Sequence, residues 1–274
     1  MEYYYTSPSY FCYQVMLPNA AIRDILRMYC NGEVSEDEAT AAIEGLRIEV
    51  LDGMARIDTG RGVRCGMPEV VLAEGKEPAV FAEIMLAQAK ATGRCVATRV
   101  FPEHIKALQA RLPPEIRMEH REAARAVILS TEGASSRDCQ GGTVAILTAG
   151  TSDIPVAEEA KVIAEEMGCI VRTAYDVGVA GIHRLFSALQ DLVPADVFIV
   201  IAGREGTLPA IVAGLVDRPV IGVPVSTGYG YMGGGEAALA SMLQACSVLA
   251  VVNIDAGFTA GAFAAQIAHG GRRR

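Results

Sequence analysis

Apolar and polar positions in the second half of the chain alternate between short apolar runs and helical spacing. Strands are predicted from continuous apolar runs at residues 143–149, 169–173, 197–202, 219–224 and 248–254. Most of these runs pass through glycine into a helix-like pattern, and repeated strand–turn–helix units predict a parallel sheet wrapped by helices. Ligands of such sheets bind beyond the carboxyl ends of the strands. We therefore expect an α/β domain with a doubly wound parallel sheet and one polar site at the glycine turns.

The first half of the chain predicts a smaller α/β domain that begins with a helical hairpin. Residues 17–29 have helical apolar spacing that ends at Asn31-Gly32, and Ser35 followed by Glu38 is the pattern of a capping box that opens a second helix. Further along, strands are predicted at 68–73, 95–100 and 126–129, and helices are predicted to begin at Pro78 and Pro102. Small polar residues and paired glycines between 130 and 142 have linker composition. We place the two domains at residues 1–135 and 136–274.

Composition narrows the class of protein. The 274 residues are 51% hydrophobic and 20% charged, which is typical of a well-buried soluble protein. A net charge of −8 argues against a nucleic-acid partner, and no apolar run is long enough to span a membrane. Seven scattered cysteines form no CxxC pair, so a disulfide scaffold or a structural zinc site is not expected. Because the N-terminus also lacks the pattern of a signal peptide, we expect a cytoplasmic location.

The first glycine turn combines features of an anion site. Gly150, Thr151, Ser152 and Asp153 follow the first strand of the second domain and lead into a helix with Pro155 near its start. The free N–H groups of a helix N-terminus, together with two hydroxyl groups, suit a phosphate or a carboxylate. The alternative is a helix that Asp153 simply caps.

Three further turns carry polar candidates. His183 and Arg184 follow Gly181, and two such cationic groups suit phosphate, although a single histidine on a helix is often structural. Glu205 lies between Gly203 and Gly206 and is a candidate general base, with a solvent-facing loop carboxylate as the alternative. Ser226 opens a stretch to residue 235 that holds five glycines, which suits close approach of a ligand or a mobile lid.

Cys246 differs from the other cysteines in its position. It ends the helix predicted over residues 236–246 and comes just before the last strand. As a buried cysteine in apolar surroundings it would be chemically inert. The sequence pattern alone leaves an inert and a reactive role open.

Several segments together carry a resemblance to a known family, the pyridinium-3,5-biscarboxylic acid mononucleotide synthases of nickel-pincer nucleotide biosynthesis (LarB). The similar segments are NGEVSEDEA, GMPEVVLAEGK, GTSDIPVAEEA, DVGVAGIHRL, AGREGTLPAIVAGL, VPVSTGYG and QACSVLAVVNIDAGFTAGAFAAQIA. The second domain also resembles the carboxyaminoimidazole ribonucleotide mutases (PurE), which implies a flavodoxin-like three-layer sandwich. Those mutases carry an active-site histidine just before a Leu-Pro, where this chain has Thr207.

The resemblance implies a reaction and a set of roles. It implies carboxylation of nicotinic acid adenine dinucleotide at C5 of the pyridinium ring, with CO₂ or bicarbonate, and cleavage of the phosphoanhydride to release AMP. Cys246 would form the adduct with the ring, Glu205 would carry the proton, and His183 would assist the hydrolysis. The substrate would be bound by Gly150, Thr151, Ser152, Asp153, Arg184, Gly203, Gly206 and Ser226. The chain departs from the usual family pattern at Arg204 and in residues 229–235.

The resemblance also implies a homo-octamer built on the second domains. It implies no resident cofactor or metal site, and Mg²⁺ bound with the substrate pyrophosphate is compatible with it. Two other functions stay open at this point. One is the mutase or aminoimidazole ribonucleotide carboxylase reaction, against which the absent histidine counts. The other is a regulator that binds a nucleotide without turnover.

Overall fold

The computed structural model describes residues 18–51, 55–133 and 141–270. Its first two helices are α1 (Pro18–Cys30) and α2 (Glu36–Glu44), which form the predicted hairpin. The capping box is confirmed, because the Glu38 N–H donates to the Ser35 hydroxyl and the Ser35 N–H donates to the Glu38 carboxylate. The predicted domain boundary at residue 135 lies outside the described residues.

The rest of the first domain is a four-stranded sheet with helices on one face. Its elements are β1 (Glu49–Leu51), β2 (Ala55–Ile57), α3 (Arg61–Cys65), β3 (Val70–Leu72), α4 (Pro78–Thr92), β4 (Arg94–Thr98), α5 (Pro102–Gln109), β5 (Ile116–Arg121) and β6 (Ala126–Thr131). β1 and β2 form a separate hairpin, and the larger sheet has the order β3-β4-β6-β5. Only the β3–β4 pair of this sheet is parallel. A core under α4 and α5 contains the fully buried Phe81, Met85 and Leu108.

The second domain has the predicted doubly wound parallel sheet. Its elements are β7 (Thr143–Thr148), α6 (Ile154–Glu166), β8 (Ile170–Ala174), α7 (Ile182–Leu192), β9 (Val197–Ala202), α8 (Leu208–Ala213), β10 (Val220–Pro224), α9 (Glu236–Leu243), β11 (Ala250–Val251) and α10 (Gly257–Gly270). The strand order is β8-β7-β9-β10-β11, and every pairing is parallel. This 2-1-3-4-5 order is that of flavodoxin-like folds.

Three layers follow from the alternation of side chains along the central strand. Ile199 and Ile201 face the layer of α6 and α10, whereas Phe198 and Val200 face α7, α8 and α9. All residues of β9 are buried, as expected for a central parallel strand. α6 and α10 approach closely at Gly261, where an added Cβ would lie 2.4 Å from the Ala160 carbonyl oxygen.

The first domain docks on the α6–α10 layer. Val96 and Ile128, from the second face of its sheet, belong to the same buried cluster as Ala160 and Ala264 of those helices. At the edge of this contact Arg94 donates two hydrogen bonds of 2.6 Å to the Glu166 carboxylate. The two domains therefore share one apolar core across their interface.

Two predicted elements are shorter than expected. The strand predicted at 248–254 is only Ala250–Val251, and the preceding helix ends at Leu243 and not at Cys246. Val248 is 93% exposed, because β11 lies at the edge of the sheet and pairs with β10 over two residues. In the part of the chain that the structure describes, no helix has the length and apolarity needed to cross a membrane.

Candidate functional site

The main cavity lies at the topological switch point of the parallel sheet. Its volume is about 550 Å³, and its walls come from the loops after β7, β8, β9 and β10. β7 and β9 are neighbours in the sheet, but α6 and α8 leave them on opposite faces, so their loops diverge and open a crevice. A cavity therefore lies where the glycine turns predicted the site. We call this cavity the cleft.

Asp153 is the buried acid of the cleft. Its side chain accepts hydrogen bonds from the Gly150 N–H at 2.9 Å and from the Ser152 and Thr227 hydroxyls, both at 3.3 Å. Burial raises the pKa of Asp153, while these hydrogen bonds oppose the shift and the nearby charge of Asp176 adds to it. Asp153 occupies the N-cap position of α6 but makes no side-chain capping bond, since its carboxylate turns back to Gly150. It therefore ties the first turn to the loop after β10.

Arg184 and Asp176 form an ion pair on the next wall. The guanidinium donates to the Asp176 carboxylate at 2.6 Å, and the Asp176 N–H donates to the Thr148 hydroxyl at 3.0 Å. Gly181 leaves room for this arginine, because an added Cβ would lie 2.8 Å from Arg184 Nε. Asp176 was not among the predicted site residues. Its position two residues after the end of β8 is the signal that could have identified it.

The turn after β9 separates the cleft from a second cavity. Arg204 has a left-handed backbone (φ 47°), and its guanidinium carbon lies 4.6 Å from the centre of the Tyr229 ring. The second cavity has a volume of about 290 Å³ and is lined by Glu205, Tyr231 and Met232 among others. We call it the tyrosine cavity. Both cavities share Arg204, Glu205, Gly228 and Tyr229 in their walls, so they lie side by side, and we call the pair the groove.

The structure brings together about half of the predicted site residues. Those that line the cleft are Gly150, Ser152, Asp153, Arg184, Gly203 and Glu205. Those that line neither cavity are Thr151, His183, Gly206, Ser226 and Cys246. Gly206 instead lies against α9, where an added Cβ would be 2.6 Å from the Ala238 carbonyl oxygen. His183 is exposed beside Arg184, and Thr151 is exposed in the turn that holds Asp153. Thr207, Thr227 and Tyr229 also line the cleft and were not predicted to bind substrate.

Cys246 lies at the other edge of the sheet. α9 begins beside the carboxyl end of β10, since an added Cβ on Gly235 would be 3.1 Å from the Val225 carbonyl oxygen. The helix then runs toward the amino edge, and Ala250, four residues after Cys246, pairs with Ile221 near the start of β10. The thiol is exposed and not buried. Its neighbour Ser247 donates to the Ala210 carbonyl oxygen of α8 at 2.7 Å, and Cys246 itself lines neither cavity of its own chain.

The described residues hold no group of three or more histidine, cysteine, aspartate or glutamate side chains arranged to bind a metal ion. Asp153 and Asp176 both face the cleft, but Asp176 is already paired with Arg184.

Two family models match consecutive parts of the chain. The LarB/PurE-like N-terminal domain matches residues 48–131, and AIR carboxylase matches residues 143–273. An uncharacterized protein of Methanocaldococcus jannaschii is 43% identical over 258 residues, which cover 90% of this chain and 96% of that protein.

Relatives with an assigned activity match less than half of this chain. The N5-carboxyaminoimidazole ribonucleotide mutase of M. jannaschii is 36% identical over 128 residues, 45% of this chain and 77% of the enzyme. A probable mutase of the same kind from Methanothermobacter thermautotrophicus is 37% identical over 131 residues, 45% of this chain and 37% of that protein. The chain therefore belongs to a LarB-like/PurE-like family, and its match to the LarB/PurE-like N-terminal domain precedes its match to AIR carboxylase.

Proposed function

We propose that the chain is a carboxylase and hydrolase that acts on nicotinic acid adenine dinucleotide and yields pyridinium-3,5-biscarboxylic acid mononucleotide and AMP. The observation that carries this proposal is Thr207 in the wall of the cleft. It stands at the position where the similar mutases are expected to hold their proton-shuttling histidine. A threonine hydroxyl does not titrate near neutral pH and cannot replace an imidazole in that role. The family of the chain supports an activity of the carboxylase type in general.

The charges of the cleft favour a substrate with both signs of charge. Arg184 and Arg204 are cations suited to phosphate, whereas Asp153, Asp176 and Glu205 supply carboxylates to the same cavity. A pyridinium dinucleotide carries a cationic ring and a pyrophosphate in one molecule. A ring without charge would leave the buried Asp153 carboxylate without a counter-charge from the ligand. This balance supports the pyridinium substrate over an aminoimidazole ribonucleotide.

The groove has room for the two halves of a dinucleotide. We assign the nicotinate mononucleotide half to the cleft and the adenosine half to the tyrosine cavity. The Tyr231 side chain is almost fully exposed there, at 94%, and Tyr229 carries the guanidinium of Arg204 on its ring. Aromatic rings of this kind stack on purine bases. The pyrophosphate would then cross the shared wall beside Arg204.

The proposed chemistry makes an electron-poor ring nucleophilic. A thiolate of Cys246 forms a C–S bond beside the ring nitrogen, and the displaced electron pair neutralises that nitrogen. The resulting dienamine attacks CO₂ through C5 and forms the new C–C bond. Glu205 takes the C5 proton, the C–S bond breaks, and the thiolate leaves as the ring regains its aromaticity and charge. Water cleaves the phosphoanhydride in a separate step and releases AMP.

In this proposal the thiol comes from a second copy of the chain. Cys246 is exposed and lines neither cavity of its own chain, and it precedes the strand that pairs near the start of β10. The octamer implied by the family resemblance would allow the amino edge of one sheet to meet the cleft of another. The proposal therefore includes a site assembled from two chains.

The test compares two substrates. The protein is incubated with nicotinic acid adenine dinucleotide and bicarbonate, and the products are identified by mass spectrometry. We expect AMP and a mononucleotide heavier by one carboxyl group. Turnover of N5-carboxyaminoimidazole ribonucleotide without either product would support the mutase function, which is the activity named for two of the relatives. Binding of the dinucleotide without any turnover would support the regulator.

A further inference from the structure

We propose that the first domain positions the cleft through Arg99 and Asp255, and that both are positioning residues for the reaction. The inference rests on the proposed function only in taking the cleft as the reaction site. Arg99 follows β4 of the first domain, and Asp255 lies between β11 and α10 of the second. A continuous series of hydrogen bonds leads from Arg99 to Asp153.

Arg99 makes three contacts that fix its guanidinium. It donates to the Asp255 carbonyl oxygen at 2.9 Å and to the Glu74 carboxylate at 2.9 Å, and its Nε lies 3.8 Å from Glu159 Oε1. Two of these partners, Asp255 and Glu159, belong to the second domain. The backbone of Arg99 is left-handed (φ 53°), which is uncommon for a residue with a side chain. Arg99 is therefore held in an unfavourable conformation by partners in both domains.

Glu159 is the buried charge that anchors Arg99 in the second domain. Its side chain is 7% exposed, and its Oε2 accepts from the Phe258 N–H at 3.2 Å. Burial raises the pKa of Glu159, and the positive charge of Arg99 opposes that shift more than any other group. A buried carboxylate needs such a counter-charge. The first domain thus supplies a charge on which a buried group of the second domain depends.

Asp255 passes the constraint to the loop after β10. Its N–H donates to the Pro224 carbonyl oxygen at 2.9 Å, and its carboxylate accepts from the Ser226 N–H at 2.9 Å. Its backbone is also left-handed (φ 56°). The next residue of the loop, Thr227, donates to the Asp153 carboxylate in the cleft. Displacing Asp255 would therefore release Ser226 and withdraw a hydrogen-bond donor from Asp153.

The other ion pair between the domains is a matched control. Arg94 begins β4 and Glu166 ends α6, so they lie about 13 Å and about 18 Å from the opposite ends of their elements. Neither residue contacts the loop after β10 in the described part of the chain. Loss of the Arg94–Glu166 pair weakens the docking of the domains without touching the series of hydrogen bonds. A variant of this pair therefore separates an effect on the position of the loop from an effect on the docking of the domains.

The experiment measures hydrogen–deuterium exchange of the peptide covering residues 225–235, together with kcat and KM. Asp255→Gly removes the hydrogen bond from Ser226 of the loop to Asp255, and Arg99→Gln removes the one from Arg99 to Asp255, so each should speed exchange of this peptide about fivefold. Glycine accommodates the left-handed backbone at 255, so this change removes only the side chain. Asp255→Asn keeps an acceptor oxygen and should restore slow exchange. Arg94→Gln should leave exchange of this peptide unchanged.

The kinetic constants should change in the same variants. We expect kcat to fall about tenfold in Arg99→Gln and Asp255→Gly, with KM nearly unchanged, because the substrate still binds to a cleft that is less well ordered. The proposal is overturned if Asp255→Gly leaves loop exchange at the wild-type rate, or if Arg94→Gln and Arg99→Gln speed it equally. The exchange measurement needs no substrate. A wild-type protein that fails to carboxylate would thus count against the proposed function alone.

Discussion

Removal of the Glu166 carboxylate should destabilise the protein more than removal of an exposed acid. The side chains of Arg94 and Glu166 are 22% and 9% exposed, and they share two hydrogen bonds of 2.6 Å. Breaking a fully buried pair costs about 3–5 kcal/mol and an exposed one about 0–1 kcal/mol. Since this pair is closer to the buried limit, we expect Glu166→Ala to lower the free energy of unfolding by about 2–3 kcal/mol.

Urea denaturation followed by circular dichroism measures this loss. Asp24→Ala is the control, because Asp24 and its partner Arg27 are 36% and 69% exposed, and it should cost less than about 0.5 kcal/mol. A double-mutant cycle with Arg94→Ala should give a coupling energy above about 1 kcal/mol. The reasoning is refuted if Glu166→Ala and Asp24→Ala cost the same, or if the coupling energy is close to zero.

Three further variants test other contacts. Burial raises the pKa of Glu159, so the stability that this group contributes at low pH is lost as pH rises above the ordinary pKa of glutamate and through the folded-state pKa. Glu159→Gln should therefore lose less stability than wild type over this rise in pH, and equal slopes of unfolding free energy against pH would contradict this. Gly261→Ala should lower the free energy of unfolding by about 1–3 kcal/mol, because the added methyl group forces α10 away from α6. Gly270→Ala in the same helix meets open space and should change it little, and thermal unfolding of both variants measures the difference. Tyr231→Ala should raise KM for the dinucleotide about tenfold but leave the affinity for nicotinic acid mononucleotide unchanged. If calorimetry shows that both ligands lose the same affinity, adenosine does not bind in the tyrosine cavity.

Periodicity predicted the elements that are buried on both faces or clearly amphipathic. The apolar run at 197–202 matches β9 in full, and Ser35 with Glu38 marks the start of α2. Polar strands at the edge of a sheet were not predicted, because the prediction depends on an apolar or amphipathic pattern. β5 reads Ile-Arg-Met-Glu-His-Arg and is mostly exposed, so it lacks the apolar signal of a core strand. The last strand was predicted too long because Val248 is apolar yet exposed.

The place of the cleft could be predicted from the sequence, but the residues that line it could not. Strand order fixes which turns meet, and glycine turns after β7 and β9 therefore indicated the cleft. Whether a side chain in a turn faces the cavity depends on local geometry that spacing does not encode. Ser226 and Thr227 are neighbours, but the Ser226 N–H is bound to Asp255 while Thr227 faces the cleft. Contacts between domains, such as Arg99 to Asp255, join residues 156 positions apart and leave no local pattern.

The central claim is that the thiol of one copy acts on a ring held in the cleft of another. Complementation of two inactive variants, Cys246→Ser and Arg184→Ala, tests it most directly. The variants are co-expressed, so that mixed oligomers form, and the release of carboxylated mononucleotide is measured. We predict that each variant alone is inactive and that the mixture recovers about a quarter of the wild-type rate, since one site in four then joins an intact thiol to an intact cleft. An active Cys246→Ser, or a mixture that stays inactive beside an active wild type, would contradict the claim.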